Sequence, residues 1–175
     1  MLISLLALGA CSKKDDKKAA SDESATAAAK GADTAPDKGE AKPAAAPAGP
    51  VTLEKLGLKI DVPADAKISD SPVGEGVMIQ APDLVITVGE AGQFDAESLA
   101  DDVSDATDSY SGENITKEEF EGGWAMTFTN KGGMGTNYWV RVRKTFGDKQ
   151  YSCSTTASSE AQQANALAAC KSLQQ

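Results

Sequence analysis

The sequence has no histidine among its 175 residues. This absence excludes Ser-His and Cys-His nucleophilic systems, histidine general bases and histidine-ligated zinc, because each of them needs an imidazole. Carboxylate pairs could still perform acid-base chemistry, but no pair stands out by its spacing. We therefore expect a protein that is not an enzyme and that has no metal site and no cofactor.

Residues 12–50 have no aromatic residue and no Ile, Leu, Val or Met. Such a segment cannot bury enough apolar surface to offset its ordering entropy, so it is predicted to be a disordered tether. Its seven lysines balance seven acidic residues, and residues 51–175 therefore carry the whole net charge of −9. Because phosphate contacts need a basic surface, nucleic acid is excluded as a partner of the single globular domain predicted over 51–175.

The N-terminus reads MLISLLALGA and is followed by Cys11, with the small residues Gly9 and Ala10 before the cysteine and Leu8 before them. This pattern resembles a bacterial lipobox. The resemblance implies a signal peptide over 1–10, lipidation of Cys11, and a membrane anchor for a cell-envelope protein; Ser12 in place of Asp favours the outer membrane, facing the periplasm or the cell surface. A truncated ordinary signal peptide and a buried strand remain the alternatives. The run is short and has no Lys or Arg, so we expect the natural start to lie upstream.

The chain contains three cysteines, an odd number for an exported protein. If Cys11 carries the lipid, Cys153 and Cys170 remain as a pair in a compartment that permits disulfides. The alternative is two buried free thiols.

The first half of the domain alternates between apolar and polar residues, which predicts strands. One strand is predicted over 58–62, and a hairpin is predicted from 76–81 and 84–88 around a turn at Pro82 and Asp83. The second arm of this hairpin has apolar residues at successive positions, which is typical of a strand covered on both sides. These residues are Leu84, Val85, Ile86 and Val88.

The pattern then changes to a helical period, with Asp95 as the predicted N-cap. The residues of this helical face are Ala96, Leu99, Val103, Ala106 and Tyr110. Four strands are predicted next, over 115–120, 124–129, 138–146 and 151–155, and the break at 130–135 is interpreted as a hairpin tip. A last helix is predicted to begin near Ser158 or Ser159. Its inward residues are expected to be Ala164, Leu167, Cys170 and Leu173.

The order of strands, helix, four-stranded meander and helix, with LGLKIDVPADAKI at its start and YSCSTTASSEAQQANALAACKSL at its end, resembles the PsbP and DcrB type of small α/β sandwich. The resemblance implies an α+β fold in which a mostly antiparallel sheet is flanked by helices. It also implies a protein that assists or binds other proteins and is not an enzyme. No binding residues follow from it.

One strand carries a candidate partner-binding face. Trp139, Arg141 and Arg143 alternate with smaller or apolar neighbours and therefore point to the same side of the sheet. An aromatic residue beside two arginines in an acidic domain could bind an acidic protein partner. The alternative is that the first helix covers Trp139 and that the arginines pair with its crowded aspartates, at positions 101, 102, 105 and 108.

These observations lead to a first hypothesis, a noncatalytic envelope lipoprotein that acts as an interaction or assembly module with an envelope protein as partner. The second is a lipoprotein that binds a small ligand, and the third is a hydrolase that uses carboxylates. The first two hypotheses predict different interiors for the domain. A filled interior favours interaction, whereas a pocket of a few hundred cubic ångströms with convergent polar groups favours ligand binding.

Overall fold

A computed structural model of the chain describes residues 49–93 and 95–175. The predicted signal peptide, Cys11 and the tether as far as residue 48 lie outside the described residues. The described part contains nine strands and two helices. They are β1 Pro50–Leu53, β2 Leu58–Asp61, β3 Lys67–Asp70, β4 Val77–Ala81, β5 Leu84–Glu90, α1 Leu99–Asp108, β6 Glu113–Phe120, β7 Gly123–Gly132, β8 Gly135–Phe146, β9 Lys149–Ala157 and α2 Glu160–Lys171.

Seven of the strands form one sheet in the order β3-β4-β5-β9-β8-β7-β6, and every neighbouring pair is antiparallel. β1 and β2 form a separate two-stranded sheet. The expectation of a mixed α+β fold with a mostly antiparallel sheet and two helices is therefore confirmed. β1 and β3, each four residues long, were not predicted.

The two faces of the sheet pack against different helices. Ala125, Val140 and Val142 belong to the larger apolar core, together with Ala166 and Ala169 of α2. The alternate residues of β7, Trp124, Met126 and Phe128, form a second core with Ala106 of α1. A disulfide joins Cys153 of β9 to Cys170 of α2, with the two Cα atoms 5.5 Å apart, and it fixes α2 to its face of the sheet.

The hairpin of β4 and β5 turns at Pro82 and Asp83, since Ala81 and Leu84 are directly paired. Its second arm is not covered on both sides as predicted, because Val85 is 50% exposed. The physical reason is the position of α1, which packs against β6 and β7 and leaves this part of the sheet open.

α1 begins at Leu99, and its N-cap is Ser98, whose hydroxyl accepts a hydrogen bond from the Asp101 backbone nitrogen. The prediction that Asp95 caps this helix was therefore wrong. Asp95 instead accepts a hydrogen bond from the Gly92 backbone nitrogen through one carboxylate oxygen. The other carboxylate oxygen of Asp95 accepts a hydrogen bond from Arg143 of β8.

α2 begins where the sequence predicted, near Ser158 and Ser159, and Ser159 is its N-cap; Ala164, however, is exposed and not inward. Alanines occur on every side of this helix, so the sequence defines its buried face poorly. The predicted break at 130–135 is also too long, because β7 continues through Asn130 to Gly132, which pairs with Gly135.

Candidate ligand-binding site

A cavity of about 460 Å³ lies between α1, the segment that precedes it and one face of the sheet. Five charged residues line it, namely Asp95, Asp102, Asp105, Arg141 and Arg143. Both arginines come from β8, where residues two apart point to the same face. Asp102 and Asp105 are three residues apart on α1, and this spacing places them on the same side of the helix.

Arg141 binds two carboxylates of α1 through one nitrogen. Its Nη1 lies 2.5 Å from Oδ1 of Asp102 and 2.8 Å from Oδ2 of Asp105. The guanidinium carbon is also 4.8 Å from the centre of the Tyr110 ring, close enough for a cation-π contact. Arg141 therefore holds α1 against the sheet.

Arg143 is nearly fully buried, and its side chain is only 5% exposed. Its Nη2 donates to Oδ1 of Asp95 over 3.1 Å, and its guanidinium carbon lies 5.6 Å from the centre of the Trp124 ring. Its Nε and Nη1 have no hydrogen-bond partner among the described residues. A buried donor without a partner costs about 1–3 kcal/mol, more when it is charged, so this arrangement needs a functional or structural reason.

Asp102 is a buried acid with an unpartnered acceptor. It is 2% exposed, and its Oδ2 has no hydrogen-bond partner in the described part of the chain. Burial raises the pKa of Asp102, and the hydrogen bond and the positive charge of Arg141 offset that effect only partly. Asp105 contacts the same arginine, yet its pKa is lowered, since the hydrogen bond from Arg141 outweighs the desolvation of a side chain that is 42% exposed.

Asp102 and Arg143 thus carry opposite formal charges in one cavity wall without forming an ion pair. Among the described residues, no nitrogen of Arg143 approaches an oxygen of Asp102 within 4.0 Å. The unpartnered atoms of both residues are enclosed by protein and have almost no accessible surface.

Hydroxyl groups from β9 complete this side of the cavity. Ser152 is directly opposite Arg143, and Ser154 is directly opposite Arg141. Directly paired residues of antiparallel strands share one face, so both serines lie beside the arginines and line the cavity.

Two further cavities share residues with the charged cavity. Ser154 also lines two neighbouring cavities, of about 820 Å³ and 370 Å³. The larger one extends to Val73 in the loop between β3 and β4, and the smaller one reaches Thr87 and Trp139. The charged cavity therefore shares Ser154 with both neighbouring cavities.

The predicted partner-binding residues meet in this region but have different surroundings. Arg141 and Arg143 line the charged cavity, whereas Trp139 is half-buried beside it. The Trp139 ring stacks on Phe128 at a centroid distance of 5.4 Å and meets Tyr110 edge-on at 4.8 Å. The ion pairs between Arg141 and the aspartates of α1, the alternative expected for this face, are present; binding of a protein partner there stays a prediction.

Sequence reasoning identified Asp102 only as a possible ion-pair partner of the arginines, and it missed Ser152 and Ser154. The alternation of β9 could have placed both serines on one face. The register that brings them beside Arg141 and Arg143 has no local signal in the sequence.

A separate cavity of about 210 Å³ lies between α2 and the turn of the β4–β5 hairpin, with Ala81, Leu84 and Ala169 in its wall. Within the described ranges, the unpartnered buried side-chain atoms all belong to Asp102 and Arg143, and neither residue lines this cavity. The charged cavity is consequently the stronger candidate site.

The described residues contain no group of three or more acidic or cysteine side chains arranged to hold a metal ion. No helix in the described part of the chain has the length and apolarity needed to cross a membrane. No protein-family model and no curated protein matches the sequence.

Proposed function

We propose that the protein is a lipid-anchored, noncatalytic binding protein of the bacterial cell envelope that holds a small polar molecule in the cavity beneath α1. The observation that carries the proposal is the convergence of charged and hydroxyl side chains on one cavity, among them the guanidinium of Arg143, which is paired there with Asp95. A cavity of about 460 Å³ has the size expected of a small-molecule site.

Other groups converge on the same space. Asp105 contributes a partly exposed carboxylate, and Ser152 and Ser154 contribute hydroxyls. A few precisely placed polar groups in a concave site are what fixes the orientation of a small ligand. These features favour ligand binding over an interaction module with a filled interior.

The envelope location rests on the resemblance of the N-terminus to a lipobox. Lipid on Cys11 would attach the chain to the membrane, and the tether predicted over 12–50 would let the domain reach other envelope proteins. A PsbP-like and DcrB-like sandwich is part of the proposal, supported by the packing of α1 and α2 against opposite faces of one sheet.

A binding experiment on the full chain, purified in detergent, tests the proposal. Trp124 reports on the cavity through its fluorescence, because its ring lies 5.6 Å from the Arg143 guanidinium carbon. Amino acids, sugars, dicarboxylates and nucleotides are titrated against the wild type, Arg143→Met and Lys149→Met. The last variant is a matched control that removes only the exposed ion pair to Glu90.

We expect at least one class to bind saturably, with affinity reduced at least tenfold by Arg143→Met and unchanged by Lys149→Met. Each variant is first checked for cooperative unfolding. Absence of saturable binding in every class, or equal binding by folded Arg143→Met, would contradict the proposal.

Protein interaction is the second candidate, and the edge strand β3 favours it. All four residues of β3 are exposed, and the apolar side chains of Ile68 and, in the following loop, Val73 are 40% and 83% exposed. A free edge of this kind can pair with a strand of another protein. A photo-crosslinker at Ile68 in intact cells should then capture one defined partner, whereas the same crosslinker at Lys117 on the opposite edge should not.

A further inference from the structure

We infer that the cavity beside Trp139 is a saccharide site, in which a sugar ring stacks on the free face of the indole. This cavity has a volume of about 370 Å³ and neighbours the one beneath α1. The inference goes beyond the proposed function, because it assigns a second site with its own class of ligand. It is carried by an aromatic face that the fold leaves open beside hydroxyl side chains.

One face of the Trp139 ring is covered. Trp139 is directly paired with Phe128 of β7, and the two rings are stacked, with an interplanar angle of 3° and centroids 5.4 Å apart. Tyr110 lies 4.8 Å from the Trp139 centroid and 6.0 Å from the Phe128 centroid, so it contacts both rings at their edges. A ring on the opposite face of Trp139 would be separated from Phe128 by two ring spacings, which the 6.0 Å distance excludes for Tyr110.

The opposite face of the Trp139 ring is on the side of β9. The direct partner of Trp139 on that strand is Thr156, an exposed residue with a side chain much smaller than an indole. Directly paired residues share one face of the sheet, so the ring stands above Thr156 as a wall. α1 packs against β6 and β7, which lie on the other side of β8. Trp139 and Thr156 both line the cavity, and this face of the indole is therefore open to a ligand.

Hydroxyl side chains line the cavity next to the indole. They come from Thr87 of β5 and from Ser154 and Thr156 of β9. Thr87 is directly paired with Ser154, and Thr156 with Trp139, so all four residues lie on the same face of the sheet. A hydroxyl both donates and accepts hydrogen bonds, and it can pair with a ligand hydroxyl in either role.

A sugar ring has the chemistry that matches this wall. Its faces carry C–H groups, whose partial positive charge is attracted to the negative face of an aromatic ring. Its hydroxyls project from the edge of the ring and can pair with the threonine and serine side chains. A wholly apolar ligand would stack on the indole equally well but would leave these hydroxyls without partners, which is costly.

The charges around the cavity favour a neutral ligand. Among the described residues, the one charged side chain that lines it is Arg141, whose guanidinium already binds the carboxylates of Asp102 and Asp105. Residues 51–175 carry the whole net charge of −9, which repels phosphate groups. Nucleotides are therefore disfavoured, although their bases can stack on an indole. An uncharged saccharide avoids this repulsion.

A glycan array probed with the full chain, purified in detergent, tests the inference. Glucose, N-acetylglucosamine, cellobiose, chitobiose and the best array ligand are then titrated by isothermal calorimetry. Caffeine is titrated beside them, because it is an uncharged planar ring system without hydroxyls. We expect saturable binding of at least one saccharide and weaker binding of caffeine.

Two matched threonine substitutions assign the binding to this cavity. Thr156→Phe places a ring against the free face of Trp139 and should weaken saccharide binding at least tenfold, which corresponds to about 1.4 kcal/mol. Because Thr156 is exposed, the domain should remain folded, as checked by cooperative unfolding. Thr145→Phe is the control and should leave the affinity unchanged, since Thr145 is exposed on the neighbouring strand β8 and does not line the cavity.

The outcomes separate this inference from the proposed function. If another ligand binds in an Arg143-dependent way and no saccharide binds, the saccharide site is refuted and the proposed function stands. If a saccharide binds and folded Thr156→Phe loses it, the saccharide site stands even when no ligand depends on Arg143. Equal binding by the wild type and folded Thr156→Phe, or binding of caffeine without any saccharide, would overturn the inference.

Discussion

Replacing Trp139 by alanine measures how firmly the aromatic cluster beside the cavity is packed. The substitution removes the stack on Phe128, the edge contact with Tyr110 and the hydrogen bond from Nε1 to Oδ1 of Asn130, whose length is 3.0 Å. Aromatic pairs contribute about 0.5–1.5 kcal/mol each beyond area burial, and a hydrogen bond contributes about the same. Truncation of a fully buried tryptophan costs about 3–5 kcal/mol.

Because Trp139 is only half-buried, we expect Trp139→Ala to lower the free energy of unfolding by about 2–3 kcal/mol. Trp139→Phe keeps a ring against Phe128 and loses the donor, and should cost about 1 kcal/mol. Thr145→Ala, an exposed position on the same strand, is the matched control and should change stability by under about 0.5 kcal/mol. Urea unfolding of the full chain followed by circular dichroism gives all three values. A loss below about 0.5 kcal/mol for Trp139→Ala would refute the packing described here. Trp139 would then again be a candidate residue for binding a partner.

Three further predictions concern the anchor, the disulfide and the buried carboxyl. Cys11→Ala should release the chain from the membrane fraction, and unchanged membrane association would contradict lipidation. Cys153 and Cys170 should resist alkylation without reductant, and their reduction should lower stability by about 3 kcal/mol because a cross-link over a sequence separation of 17 residues is lost; labelling of both thiols without reductant would be the opposing result. The pKa of Asp102 is raised in the folded state, so its stabilising contribution is complete below the ordinary value of 3.8 and is lost as pH rises through the folded-state pKa. Unfolding of wild type and Asp102→Asn across this range should therefore show wild-type stability falling relative to the variant as pH increases, and parallel curves would disprove the shift.

The sequence was informative where the signals were local. The turn at Pro82 and Asp83 and the start of α2 near Ser158 and Ser159 were predicted correctly, since turn and cap chemistry depends on a few neighbouring residues. The same kind of signal failed at Asp95, because both Asp95 and Ser98 can cap a helix and only the serine lies next to its first turn.

The candidate site depends on contacts between distant segments, which local patterns do not specify. The alternation of β8 correctly put Arg141 and Arg143 on one face, and the aspartates of α1 were recognised as candidate partners. The cavity itself follows from the β8–β9 register, which places Ser152 beside Arg143, and from the extent of α1, which leaves the neighbouring strands open. Neither feature is encoded within a single element.

Native mass spectrometry of the full chain, purified from cells that produce it, tests the proposed binding function most directly. The wild type should carry a small molecule as a discrete added mass, and folded Arg143→Met should lack it while Lys149→Met keeps it. Identical spectra for wild type and folded Arg143→Met would contradict a ligand site built around this buried guanidinium.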